Sequence, residues 1–401
     1  MLSPKENAIL AVLRAKDLGT SLIAELRLNA TKADKACLER SFRIFMTKWE
    51  ILRSSYIWKK DGYHRKIRSA EQFPLEHVLL SNSESIDGFV EQAKREIDLM
   101  NGVVKGYLLS SGDQDYLMIL MHHLVYDTPS LDIIRQEINT IYKSLNKEED
   151  TQQDVISLET RYYPYFEQWH RKNIRSVQYW KQRLENENWK VSFNQDTPDK
   201  SETDRGYACS TFIPIDVENA RKEMQAYSLH LAVIAAMLAT TSECSANEQC
   251  LVRSVFNLRH LTKEDLIGPL FSEVYMLIPI RQDRAFKDWI KLLRQEYFKA
   301  SRRIIYDETE LDAEEIVSRS VWISHNRLDE SFEGKCNTEV SEDWTRSPII
   351  IYAYEYNNGL LLHYCASQRQ MTKKTLLAFQ QKCNELLFEQ LSSIKALELI
   401  G

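Results

Sequence analysis

The stretch MHHLVYDTPS, residues 121–130, carries paired histidines, His122 and His123, and an aspartate soon after, Asp127. It closes a run rich in β formers, DYLMILMHHLVY (115–126), and opens a segment in which Leu131, Ile134, Ile138, Ile141 and Tyr142 recur at helical spacing. The pattern predicts a strand reaching Tyr126 and a helix from about Pro129 to Leu145, with proline in its first turn. Strand alternation sends His123 and Val125 to one face and His122 and Leu124 to the other, so the two rings take different roles. An imidazole ending a buried strand has an ordinary pKa near ~6.5 and accepts a proton at neutral pH. The same residues also fit a structural reading: two core histidines satisfied by backbone, and Asp127 as the cap of the helix.

Before this stretch, residues 31–49 place Leu38, Phe42, Phe45, Met46 and Trp49 on one helical face, with Thr31 as the candidate N-cap. ILRSSYIW (51–58) and YHRKIR (63–68) flank a Lys-Lys-Asp-Gly turn and read as a hairpin. A helix near 86–100 and a strand at VVKGYLLS (103–110) complete the first half. After an exposed charged tract, NKEEDTQQD (146–154), aromatic helices span 158–187. The second half repeats this style. Helices near 216–226 and 229–243 precede strands at CLVRSVF (250–256) and VYMLIPIR (274–281), then a helix over 284–303. SPIIIYAYEY, Asn357-Asn358-Gly359 and LLLHYCA form a hairpin, and a helix carrying Leu376, Phe379, Cys383 and Leu387 closes the chain. Two α/β lobes follow, 1–175 and 176–401.

Composition narrows the classes of function. Eleven Gly and nine Pro make up about 5% of 401 residues, against an average near ~12%, which argues against linker-rich or many-turned all-β proteins. A net charge of -6 argues against a generic nucleic-acid binder. Seven scattered Cys form no C-x-x-C pair, so zinc spacing and a disulfide framework are unsupported. MLSPKENAIL has no long apolar core of a signal peptide, and the longest apolar run, Leu229 to Ala239, falls short of the ~20 residues of a membrane span. The expectation is a soluble protein of the cytoplasm.

HHLVYDTPSL resembles the His-His-x-x-x-Asp-Gly motif of the condensation domains of nonribosomal peptide synthetases. Other segments match that family in order. LSPKENAIL resembles its opening segment, with Glu6 near the family's Gln. KWEILRSSY keeps Glu50, Leu52 and Arg53 of the Arg-His-Glu-x-Leu-Arg segment. YPYFEQWHRK and YWKQRL look like the aromatic helices that join the lobes. LIGPLFSEVYMLIPIRQD keeps Gly268, Pro279 and Arg281, and VWISHNRL is similar to the floor-loop strand, with His325-Asn326 in place of Gln-Asn.

The resemblance implies an α/β fold of two chloramphenicol-acetyltransferase-like lobes, arranged as a V-shaped pseudo-dimer with a central tunnel. It implies an acyltransferase that joins a thioester, held on the phosphopantetheine of an acyl or peptidyl carrier protein, to an amine. That amine is either small or itself carrier-bound, and no cofactor is held permanently. Carried over, His123 is catalytic. His122, Asp127 and Arg281 support the site, Asp127 pairing with Arg281, and His325 and Asn326 belong to the floor loop. Two departures stand out: Thr128-Pro129 where the family has Gly, on the acceptor side of the tunnel, and Tyr275-Met276 where it has Asn-Thr. Thr128 either narrows that side or turns its hydroxyl to cap the helix. Two alternatives stay open, an inactive condensation-like domain that docks a carrier protein or tailoring enzyme, and a coenzyme A-dependent acyltransferase.

Overall fold

The structure, a computed structural model, describes every residue except 1, 16–21, 82–83, 147–163, 186, 194–204, 225–227, 245–247, 263–264, 281–284, 307–310, 312, 329–331, 333–339 and 399–401. The chain forms two compact units. One contains Met1–Arg171 together with Asn257–Phe271, and the other contains Lys172–Phe256 and Ser272–Gly401. A fifteen-residue piece from the second half of the chain thus belongs to the first unit.

In the first unit α1 (Pro4–Ala15) precedes β1 (Ile23–Asn29), α2 (Lys35–Lys48), the hairpin β2 (Ser54–Lys59) and β3 (Gly62–Ile67), and β4 (Leu75–Leu80). Then come α3 (Ile86–Arg95), β5 (Val104–Ser111), β6 (Gln114–His122) and α4 (Thr128–Asn146). The helix α1 begins with a Ser-x-x-Glu capping box. Ser3 N–H donates to Glu6 Oε2 (2.7 Å) and Glu6 N–H donates to Ser3 Oγ (3.1 Å). Tyr56 Oη–H donates to Glu6 Oε1 (2.7 Å), which ties this helix to the hairpin. Asp34 caps α2 by accepting from Cys37 N–H (3.0 Å), so the cap is not Thr31.

A four-stranded sheet runs β1-β6-β5-β4. β6 pairs antiparallel with both neighbours, and β4 lies parallel to β5. Alternation divides β5 between two layers. Tyr107 and Leu109 join Met118, Leu120, Val90 and Ala93 in a core under α3. Gly106 faces the other way, where a Cβ would come within 2.5 Å of Phe42, so only glycine lets α2 pack this closely. The buried side of α4, Ile134, Ile138 and Ile141, meets α2.

The division between the units falls within α5 (Pro164–Leu184), which lies inside the range 158–187 where the sequence suggests aromatic helices; residues 158–163 lie outside those described. The second unit continues with β7 (Arg205–Pro214), α6 (Val217–Met224), α7 (Ser228–Cys244), β8 (Gln249–Asn257), β9 (Phe271–Pro279), α8 (Phe286–Ala300) and α9 (Ala313–Arg319). It ends with β10 (Val321–Arg327), β11 (Ser341–Trp344), β12 (Ile350–Tyr356), β13 (Gly359–Ser367) and α10 (Lys373–Glu398). A seven-stranded mixed sheet runs β11-β7-β13-β12-β10-β8-β9. The expected hairpin is β12–β13, closing at Tyr356↔Gly359. The helix α7 is buried along most of its length, as its apolar LAVIAAML core demands. Among the described residues no helix is long and apolar enough to cross a membrane.

Candidate active site

The strand β6 stops at His122, four residues before the alternating pattern does. Backbone hydrogen bonds hold its end on both sides: His122 N–H donates to Val103 O (2.9 Å) and His123 N–H to Leu22 O (2.7 Å). The chain then turns, with Val125 N–H donating to His122 O (3.0 Å). A turn, rather than strand alternation, therefore separates the two rings.

Their hydrogen bonds give them opposite tautomers. The Nδ1 of His122 accepts from Leu124 N–H (3.2 Å), so a neutral His122 carries its proton on Nε2. The Nδ1 of His123 lies 2.9 Å from the Tyr126 carbonyl oxygen, which can only accept, so Nδ1 holds the proton and Nε2 the lone pair. The His123 ring stacks on Phe271, with centroids 5.4 Å apart and planes 11° from parallel, and packs at 5.0 Å against Tyr126. Lys5 Nζ sits 4.7 Å from the Phe271 centroid. Burial pushes the His123 pKa below the ordinary histidine value; the Tyr126 hydrogen bond and Asp127 oppose the shift, and Lys5 adds to it.

His122 is only 6% exposed, and burial aided by the His123 charge pushes its pKa down to about 4. An unfolded chain binds this proton near pH ~6.5 while the folded one still refuses it, so stability falls as pH drops from 6.5 to 4. The shift corresponds to about 3 kcal/mol by pH 4. Chemical denaturation of wild type and His122→Gln at pH 7 and pH 4 is expected to show a smaller acid-induced loss in the variant. Equal losses would show that His122 titrates normally.

Asp127 is the N-cap of α4 and the centre of a closed polar network. Its Oδ1 accepts from Ser130 N–H (3.1 Å), Ser130 Oγ–H (2.6 Å) and Arg259 Nη2 (2.8 Å). Its Oδ2 accepts from Arg259 Nη1 (2.6 Å) and Leu270 N–H (3.1 Å). Arg259 also donates through Nε to Leu266 O (2.8 Å), and Gly268 N–H donates to Ser130 Oγ (3.1 Å). The carboxylate and guanidinium are 6% and 8% exposed. So the arginine that takes up Asp127 is Arg259, where the family resemblance implies Arg281, a residue outside those described. The reason is topological: Asn257–Phe271 returns to the first unit and carries Arg259 to the start of α4. Thr128 is the first residue of α4 and half-buried; the cap is Asp127. Among the described non-glycine residues only Lys32 has a positive φ, so the backbone at Thr128 does not demand the family's glycine.

His325 and Asn326 lie on β10 in the second unit. His325 Nε2 is 3.2 Å from Glu355 Oε2, and Glu355 also pairs with Arg221. Burial acts to raise the Glu355 pKa, but His325 and Arg221 outweigh it and hold the carboxyl below its usual value. Asn326 Nδ2–H donates to Ser324 Oγ (3.1 Å). Most residues following this strand, where the floor loop is expected, lie outside those described. No group of three or more metal-ligating side chains occurs among the described residues.

Sequence reading alone misses Ser130, Arg259, Tyr126, Phe271 and Lys5. Ser130 has a local signal only through Asp127, a preferred N-cap residue whose carboxylate accepts from the N–H three residues on. Arg259 and Phe271 have none, because they arrive through the returning segment.

The condensation domain family matches residues 19–390 of this sequence. The chain belongs to that family. Curated relatives of this condensation domain include a component of the linear gramicidin synthase of Brevibacillus parabrevis, 23% identical over 284 residues, covering 67% of this chain and 4% of the synthase protein. Cyclosporin synthetase of Tolypocladium inflatum is 24% identical over 325 residues, or 76% of this chain and 2% of that protein. The condensation domain thus spans a small fraction of the length of these synthetases. Among solved structures it is similar to the epimerization domain from the third module of tyrocidine synthetase B, with a TM-score of 0.74, 14% identity and coverage of 99% of this chain and 98% of that one. The starter condensation domain of rhizomide synthetase gives 0.73 and 14%, covering 98% and 94%. At such identities the likeness speaks of fold alone, and this condensation domain shares its fold with epimerization domains as well.

Proposed function

We propose that this condensation domain forms an amide between a carrier-bound acyl or aminoacyl thioester and an amine. The observation that carries this reading is the fixed tautomer of His123: its Nδ1–H is held by the Tyr126 carbonyl, which leaves the Nε2 lone pair for a proton. The amine nitrogen bonds to the thioester carbonyl carbon as Nε2 takes the amine proton. The carbon–sulfur bond then breaks, and the proton passes to the leaving thiolate of the phosphopantetheine arm. No acyl-enzyme is required. His122, with its own lone pair spent on Leu124 N–H, and Asp127 with Arg259 hold the turn that presents His123.

The test is a reaction of the protein with an acyl carrier protein bearing octanoyl-phosphopantetheine and a panel of amines, read by intact mass. Loss of the acyl group from the carrier with appearance of amide supports the reading; an intact thioester across the panel overturns it. Octanoyl-coenzyme A in place of the loaded carrier separates a coenzyme A-dependent acyltransferase.

Thr128 bears on acceptor choice. Its β-branched side chain stands at the start of α4, five residues beyond His123, and the capping role is filled by Asp127. Thr128→Gly is expected to raise the rate several-fold with carrier-bound acceptors and to leave small amines nearly unchanged. An equal effect on both acceptor classes would remove the steric argument.

A further inference from the structure

The second unit presents a basic face with aromatic residues set into it. Lys172, Arg175, Tyr179 and Arg183 are exposed at spacings of three, four and four along α5, so they share one side of the helix. Two hydrogen bonds lay the segment after α8 along the same helix. Trp180 Nε1–H donates to Arg303 O (3.0 Å), and Tyr306 N–H donates to Asn173 Oδ1 (2.8 Å). They bring exposed Arg302 and Arg303 beside the stripe. Arg303 lies 5.3 Å from the Tyr179 ring centroid, and Arg302 lies 4.2 Å from that of Phe298, which is 59% exposed.

Five cations therefore gather on this face, in a protein whose net charge is -6. Among the described residues none of the five has an ion-pair partner, whereas neighbouring Lys299 is paired with Glu296 at 2.7 Å. Among the described residues the exposed acid at the margin is Glu185, just past the end of α5. Guanidinium groups resting on exposed rings are already oriented, so less side-chain entropy is lost when they meet carboxylates. Arg and Tyr are also the residue types that dominate binding energy at protein interfaces.

We propose that this face docks an acidic surface of the carrier protein that delivers the thioester. The inference rests on the carrier-dependent reading above, and it adds where the carrier binds and by what chemistry. The stripe from Lys172 to Arg183 is about 16 Å long at 1.5 Å per residue, the scale of one small protein's contact face. A bilayer fits less well, because among the described residues the large apolar side chains exposed here are just Ile174, Tyr179 and Phe298, and the chain as a whole is net negative.

The experiment compares wild type with Arg175→Glu/Arg302→Glu, using an acidic acyl carrier protein bearing octanoyl-phosphopantetheine. Binding is measured by calorimetry at 0.05 and 0.5 M NaCl. Turnover is measured with that carrier and with octanoyl-N-acetylcysteamine, a small thioester that has no carrier to dock. The double variant is expected to weaken carrier binding about 10-fold or more and to lose most of its salt dependence. It should keep wild-type turnover of the small thioester, which also shows that it is folded. Unchanged carrier affinity in the variant, or binding by wild type to anionic phosphatidylglycerol vesicles but not to the carrier, would overturn the proposal. If wild type turns over neither substrate, the proposed reaction fails, while calorimetry still decides whether this face docks the carrier.

Discussion

Arg259→Met is expected to lower folding stability by about 3–5 kcal/mol, seen as a fall in Tm of roughly 10 °C. The cost comes less from the attraction that is lost than from the charge left behind. Asp127 is 6% exposed, and both of its oxygens are oriented by the fork of the guanidinium. With Arg259 gone, Ser130 and Leu270 N–H remain as donors, but a buried carboxylate lacks its counter-charge. The double variant Asp127→Asn/Arg259→Met should recover part of the loss, because it removes the orphaned charge along with its partner. Thermal denaturation of the three proteins provides the check, and an Arg259→Met protein that melts with wild type would refute the assignment. Arg259 also bonds to the Leu266 carbonyl, so the variant should loosen the returning segment and, with it, the Phe271 ring stacked on His123.

His123→Ala should lower kcat/KM for amide formation by ~10²-fold or more while leaving Tm within a few degrees of wild type. The second half of that expectation follows from the geometry. The backbone N–H of His123, which survives the substitution, holds the strand end to Leu22. The pH profile gives a sharper sign. Because burial holds the His123 pKa below the ordinary value, the imidazole is already neutral at pH 7, and the acid limb of kcat/KM should begin below pH ~6.5. Near-normal turnover by a folded His123→Ala protein would mean that positioning of the amine accounts for the rate.

The parts of this protein that were legible in its sequence are those written in short-range patterns. The β2–β3 hairpin follows from a turn signal between two runs of β formers, as does β12–β13 at Asn357-Asn358-Gly359. The stripe of Ile134, Ile138 and Ile141 marks α4 because a helix repeats every 3.6 residues. Where a local pattern continues past its element, the reading runs too far. The alternation that extends to Tyr126 misses the end of β6 at His122, since backbone hydrogen bonding, not side-chain polarity, stops a strand.

From the order of residues come the elements, the two mixed α/β halves, the paired histidines at the end of a strand and the family that they signal. Which nitrogen of each imidazole holds the proton is settled in the folded chain, because that depends on which backbone group the turn brings to Nδ1. The partner of Asp127 is settled there too. Arg259 stands 132 residues away and Leu270 stands 143 away, and no periodicity spans such a gap. Only the return of Asn257–Phe271 to the first unit closes that distance, and a buried carboxylate takes whichever guanidinium the fold delivers to it.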